Sequence, residues 1–97
     1  MAGVIRTSID SISEEAYHCR MTSEKLLDII ADLDQTIAFL SSGWQGESTE
    51  SRLQSIEEGK QRVYRLASEI NELSETLLSV RDAYFDLEAS IFDKLNE

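Results

Sequence analysis

Apolar or small side chains recur at alternating spacings of four and three residues through both halves of this sequence, and this repeat constrains the fold more than any other feature. Such a repeat is typical of a helix that packs along its whole length against another helix. The sequence therefore predicts a long first helix over about residues 5–41, roughly 50 Å in length. The repeat in this half consists of Ile5, Ile9, Ile12, Ala16, Cys19, Ser23, Leu26, Ile30, Leu33, Ile37 and Leu40.

The second half carries the same repeat and predicts a second helix over about residues 47–94. Its members are Ile56, Gly59, Val63, Leu66, Ile70, Leu73, Leu77, Val80, Tyr84, Leu87 and Ile91. Gly59 is unusual there, because glycine costs a helix about 1 kcal/mol relative to alanine. Gly59 indicates either a close approach of the two helices or a bend.

The two repeats are separated by the segment SSGWQG, residues 41–46. Its serines weaken a helix, and Gly43 is expected to adopt the left-handed conformation that ends one. The acidic residues Glu47 and Glu50 follow, where they complement the dipole of a new helix. Because the connection, at about 42–46, is short, the two helices are predicted to form an antiparallel hairpin.

The apolar surface of the second helix is too broad for one partner helix near its C-terminus. Leu78, Phe85 and Phe92 recur every seven residues beside the repeat, with Leu95 next to them. We expect an all-α fold in which residues 1–97 form one hairpin domain that pairs with a second hairpin into a four-helix bundle. Leu78, Phe85 and Phe92 are the expected dimer interface; the alternative is that they cover the end of the first helix.

The charge of the chain excludes two classes of partner. Lys and Arg number 9 against 19 Asp and Glu, which gives a net charge of −10. Phosphate backbones and anionic lipids repel such a surface, so nucleic acid and membranes are not expected partners. The start of the sequence lacks the apolar region of a secretory signal, and there is no 18-residue apolar run. We therefore expect neither a cleaved signal peptide nor membrane insertion.

The residue types that catalysis requires are scarce. His18 is the only histidine and Cys19 the only cysteine; the repeat places His18 away from the seam and Cys19 within it. Adjacent acidic residues, such as Glu14 and Glu15, point in different directions on a helix and do not form a metal site. The sequence predicts no enzyme, no metal and no cofactor.

Trp44, Gln45 and Gly46 form a Trp-x-Gly motif at the only break between the two repeats. An acidic chain of this length with two amphipathic helices around such a turn resembles the WXG family of small type VII secretion substrates, which includes the early secreted antigen of mycobacteria. A second family motif is a C-terminal Tyr-x-x-x-Asp/Glu, which Tyr84 and Glu88 match in YFDLE.

The resemblance implies a helical hairpin that forms a dimer, either with itself or with a sister protein. It also implies export from the cytoplasm to the outside of the cell without a cleaved signal peptide, through the ATPase of a type VII secretion system. In an antiparallel dimer, the Trp44 turn of one subunit would lie near Tyr84 and Glu88 of the other. A composite export signal would then form only on the pair.

Three functions agree with these features. The first is a secreted dimeric substrate, effector or export partner of a type VII system. The second is a dedicated helical partner or chaperone of a larger exported toxin, which would bind to Leu78, Phe85 and Phe92. The third is a structural coiled-coil adaptor, which leaves the Trp-x-Gly motif at the turn without a reason.

Overall fold

The computed structural model of the chain describes residues 2–44, 46 and 48–96. Helix α1 spans Ala2–Ser41 and helix α2 spans Ser48–Leu95, and the two pack against each other over their length. The described residues contain no strand. The prediction of an all-α two-helix hairpin is confirmed, whereas its pairing into a four-helix bundle stays a prediction.

The hairpin is long and thin. Its principal extents are 78 × 16 × 13 Å and its radius of gyration is 22.0 Å, against about 13 Å for a compact domain of this size. Each helix therefore has one neighbour within the chain, and much of its circumference faces outward. Neither helix carries, in the described part of the chain, a stretch apolar enough to span a bilayer.

The buried core is small and lies between the facing sides of the helices. Its apolar members are Ile5, Ile9, Ala16 and Ala67, and its polar members are Ser23 and Ser74. The Ser23 hydroxyl donates a hydrogen bond of 2.7 Å across the seam to the carbonyl oxygen of Ala67, and the Ser74 hydroxyl donates to the Asn71 carbonyl. Both buried hydroxyls are thus satisfied. The hydrogen bond from the Ser23 side chain to the Ala67 backbone also shows that the two helices lie close together at mid-hairpin.

The predicted seam of α2 is wrong in one of its two lines of residues. Val63, Ile70, Leu77 and Tyr84 are half-buried, as expected for seam positions. The other line consists of Lys60, Ala67, Ser74, Arg81 and Glu88, each buried or half-buried. The line expected in its place is exposed: Leu66 by 47%, Leu73 by 49%, Val80 by 41% and Leu87 by 48%.

Packing against small residues explains the difference. Ala67 and Ser74 are only 1% and 4% exposed. Short side chains on both helices, such as those of Ser23 and Ala67, allow the helices to approach closely at this level. Helix α2 continues without a break through Gly59, and a Cβ built on that residue would meet no atom within 4 Å. A close approach of the two helices is therefore not the reason for this glycine.

Ion pairs join the helices along one side of the seam. Arg6 of α1 pairs with Glu88 of α2, and Asp34 of α1 pairs with Lys60, which also contacts Glu57. Hydrogen bonds to Asp34 and Glu57 raise the pKa of Lys60. Hydrogen bonds from Gln61 and Lys60 lower the pKa of Glu57. We call this side the ion-paired flank; it lies opposite Leu66, Leu73, Val80 and Leu87.

Candidate functional site

The Trp44 turn lies at the apex of the hairpin. The backbone N–H of Gly43 donates to the Leu40 carbonyl and that of Trp44 to the Ser41 carbonyl, each at 3.1 Å. The hydroxyl of Ser42 donates to the Phe39 carbonyl at 2.7 Å. These bonds satisfy carbonyl groups that have no partner at the end of a helix. The indole of Trp44 is half-buried beside this ending.

Gly46 turns the chain into α2. Its φ of 108° lies in a region that other residues rarely adopt, and its carbonyl accepts a hydrogen bond from the Thr49 N–H at 3.3 Å. A Cβ built there would meet no atom within 4 Å. Conformation, and not space, explains this glycine. The expected left-handed conformation at Gly43 is wrong, since positive φ occurs at Gly46. Gln45 and Glu47 lie outside the described residues.

Tyr84 and Glu88 lie at the opposite end of the molecule, beside the start of α1. Both are half-buried and lie one helical turn apart on α2. Arg6 donates from its Nη2 atom to Oε1 of Glu88 at 2.5 Å. Tyr84 lines a shallow hollow together with Val80, Ala83 and Leu87.

One chain cannot bring its two motifs together. Tyr84 follows the start of α2 at Ser48 by ten helical turns, which corresponds to about 54 Å at 1.5 Å per residue. Trp44 precedes that start, at the apex. A site that uses Trp44 together with Tyr84 and Glu88 therefore requires a second subunit.

Comparison with known proteins identifies the family. The family model WXG100, described as proteins of 100 residues with WXG, matches residues 4–89. The chain belongs to the WXG100 family. No match was found among curated proteins or among solved structures. Family membership supports a small secreted substrate of a type VII system, and it disfavours an adaptor without a link to secretion.

The WXG100 match covers Leu78 and Phe85 but ends before Phe92. These three residues form, with Leu95, what we call the C-terminal apolar surface. Leu78 is half-buried, Phe85 is 39% exposed, Phe92 is 66% exposed and Leu95 is 79% exposed. A hollow of about 320 Å³ lies beside it, lined by Ile5, Arg6, Glu88, Ile91, Phe92 and Leu95.

Arg6 is a residue of this region that the sequence analysis missed. Its guanidinium lies 5.9 Å from the centroid of the Phe85 ring, and that of Arg81 lies 5.8 Å from it. The Phe85 ring is therefore held by two cations, which attract the face of an aromatic ring. The sequence could have indicated this contact, because residue 6 lies opposite the C-terminal part of α2 in an antiparallel hairpin.

His18 and Cys19 take the positions of ordinary helix residues. His18 is exposed, with its ring centroid 6.2 Å from that of Tyr17, and Cys19 is a half-buried free thiol. Within the described ranges, no three His, Cys, Asp or Glu side chains are grouped so as to hold a metal ion.

Proposed function

We propose that this WXG100 protein is a dimeric substrate or export partner of a type VII secretion system, and that its export signal is shared between two subunits. The observation that carries the proposal is the distance between Trp44 at the apex and the Tyr84–Glu88 pair at the open end. Two hairpins that pair in opposite directions would place each apex beside the other open end. The secretion ATPase would then recognise a surface that an unpaired chain does not have.

Export of this kind would use the partly exposed and chemically distinct groups at the two ends of the molecule. An indole offers a large apolar area with one N–H donor, which suits recognition at an interface. Glu88 offers a carboxylate that is 27% exposed even while it pairs with Arg6. The chain would leave the cytoplasm by this route without a cleaved signal peptide.

The C-terminal apolar surface supports a more specific role. Exposed Phe92 and Leu95 beside an apolar hollow form a surface that buries little within the chain. We propose that Leu78, Phe85 and Phe92 are the interface for the other member of an export pair, a sister WXG100 protein. A second candidate for the same surface is the helical region of a larger exported toxin, for which this chain would act as a dedicated partner.

The first experiment measures export of single variants in the producing bacterium. We expect Trp44→Ala and Glu88→Gln each to lower the exported fraction by about tenfold or more while the intracellular protein stays helical and soluble. Glu75→Gln is the matched control, since Glu75 is an exposed acid on the same helix. Arg6→Gln removes the ion pair with Glu88 but keeps the carboxylate, so it separates loss of the ion pair from loss of the signal.

Coexpression of the two defective variants tests whether the signal is shared. A mixed dimer of Trp44→Ala and Glu88→Gln chains has one site with both motifs intact, since each chain supplies what the other lacks. We expect export to recover in the mixture. Normal export of both single variants would contradict the signal role, and failure of the mixture to recover would contradict its division between subunits.

A further inference from the structure

We propose that Arg6 is a positioning residue of the export signal, which holds the Glu88 carboxylate in a fixed orientation from the second turn of α1. The inference deepens the proposed function and rests on it, because it takes Glu88 as a part of the signal. It adds that the C-terminal half of the signal is built from both helices of one chain. The carboxylate is then correctly presented only while the start of α1 is docked on α2.

The helix around Arg6 is anchored by its neighbours. Ile5 and Ile9 are only 6% and 2% exposed, since they pack into the seam between the two helices. The Thr7 hydroxyl donates to the Gly3 carbonyl at 2.8 Å within the first turns of α1. The backbone of Arg6 therefore lies at a defined place on α2, and the remaining freedom of the guanidinium is that of its own side chain.

Two side chains of α2 restrict this guanidinium. Its Nη2 atom donates to Oε1 of Glu88 at 2.5 Å, and its Cζ atom lies 5.9 Å from the centroid of the Phe85 ring. Phe85 and Glu88 are three residues apart and therefore lie on the same face of α2. A hydrogen bond between ionised groups is stronger than a neutral one, and the ring face attracts a cation. One side chain of α1 thus orients two of α2.

Helix α2 supplies no substitute for Arg6. Residues 82–93, which surround Glu88 in the sequence, carry four acidic side chains and no lysine or arginine. Arg81 precedes this segment, but its Nε and Nη2 atoms donate to Oδ1 of Asp82 at 3.3 and 3.0 Å. Among the described residues, the ion pair of Glu88 is with Arg6 alone. The cation that holds this carboxylate therefore has to come from α1.

The contact is suited to orientation more than to stability. The side chains of Arg6 and Glu88 are 56% and 27% exposed, and ion pairs at exposed positions contribute little to the stability of a fold. A binding group that is already held in its bound orientation loses less conformational entropy when its partner arrives. Loss of Arg6 should therefore weaken recognition of Glu88 while the hairpin keeps its stability.

Export of Arg6 variants from the producing bacterium tests the inference. We expect Arg6→Gln to lower the exported fraction by about fivefold or more, because the carboxylate loses its fixed orientation. Arg6→Lys keeps a cation beside Glu88 and should retain about half of wild-type export or more, although it lacks the planar fork of arginine. Arg20→Gln is the matched control and should be exported normally, since Arg20 pairs with Glu24 within α1.

Measurements on the purified full chain separate orientation from folding and from pairing. Fluorinated phenylalanine reports separately on Phe39, Phe85 and Phe92. We expect the fluorine signal of Phe85 to shift in Arg6→Gln and to stay at its wild-type position in Arg20→Gln. The signal of Phe39, near the apex, should stay unchanged in both variants. The midpoint of urea unfolding and the sedimentation coefficient of Arg6→Gln should equal those of the wild-type chain.

The outcomes separate this inference from the export signal itself. Normal export of Arg6→Gln, together with loss of export in Glu88→Gln, would overturn the positioning role and leave the signal standing. Equal loss in Arg6→Gln and Arg6→Lys would also overturn it, because the cation would then not be what matters. A lower urea midpoint or a changed sedimentation coefficient in Arg6→Gln would assign Arg6 to folding or to pairing instead. Normal export of Glu88→Gln would contradict the proposed function.

Discussion

The backbone conformation of the turn requires glycine most clearly at Gly46. Its φ of 108° is costly for any residue with a Cβ, although the space around it is empty. Gly43, three residues earlier, has the ordinary environment that any small residue tolerates, with a built Cβ at 3.7 Å from the Leu40 carbonyl oxygen. The second glycine of the segment, and not the first, therefore sets the path into α2.

Substitution of the two glycines should separate these effects. We expect Gly46→Ala to lower the free energy of unfolding by about 1–2 kcal/mol, the cost of a positive φ for a residue with a side chain. Gly43→Ala is the control and should be neutral or slightly stabilising, because alanine restricts the unfolded chain. Thermal unfolding followed by circular dichroism checks both. Equal losses in the two variants would contradict a conformational role for Gly46.

Sequence alone could place the turn but not its conformation. A Trp between two glycines at the only break in the repeats is enough to locate the apex and to suggest the family. Which glycine takes a positive φ depends on how the chain enters α2, and neither residue type nor spacing encodes that. The spacing of Tyr84 and Glu88 was likewise visible, whereas the contact of Arg6 with Glu88 depends on the helix register.

At the scale of the element, the side of α2 that packs against α1 does not follow its most apolar line of residues. A search for the most apolar repeat finds Leu66 and Leu73, since large apolar residues dominate such a count. The seam within the chain instead buries Ala67 and Ser74, where short side chains permit a close approach to α1. The sequence therefore predicts the existence and length of the helix well, but it assigns the wrong line of residues to the hairpin.

Enlarging the buried line should weaken the hairpin. Ala67 is 1% exposed and lies against Ser23, whose hydroxyl donates to its carbonyl. We expect Ala67→Leu to destabilise the folded chain by about 1–3 kcal/mol, as overpacking of a tight core does. Ser68→Leu adds a leucine side chain at an exposed neighbouring position and should have little effect. Urea unfolding at a fixed protein concentration measures both, and similar midpoints would contradict the assignment of the seam.

At the scale of the whole molecule, burial is unevenly distributed along the hairpin. The buried residues lie between 5 and 23 on α1 and at 67 and 74 on α2. In the described part of residues 24–66, which forms the apex half, no side chain is buried and Phe39 is 79% exposed. The two ends of the molecule thus share one architecture but differ in how much core holds the helices together.

This asymmetry predicts that the apex half opens before the rest. Local opening requires less free energy where few apolar contacts are lost, so amides of residues 30–40 and 50–60 should exchange at least about tenfold faster than those of residues 9–23 and 67–77. Hydrogen exchange measured by mass spectrometry on the full chain resolves these segments. Uniform protection along both helices would contradict this prediction. It would show that contacts other than side-chain burial hold the apex half together.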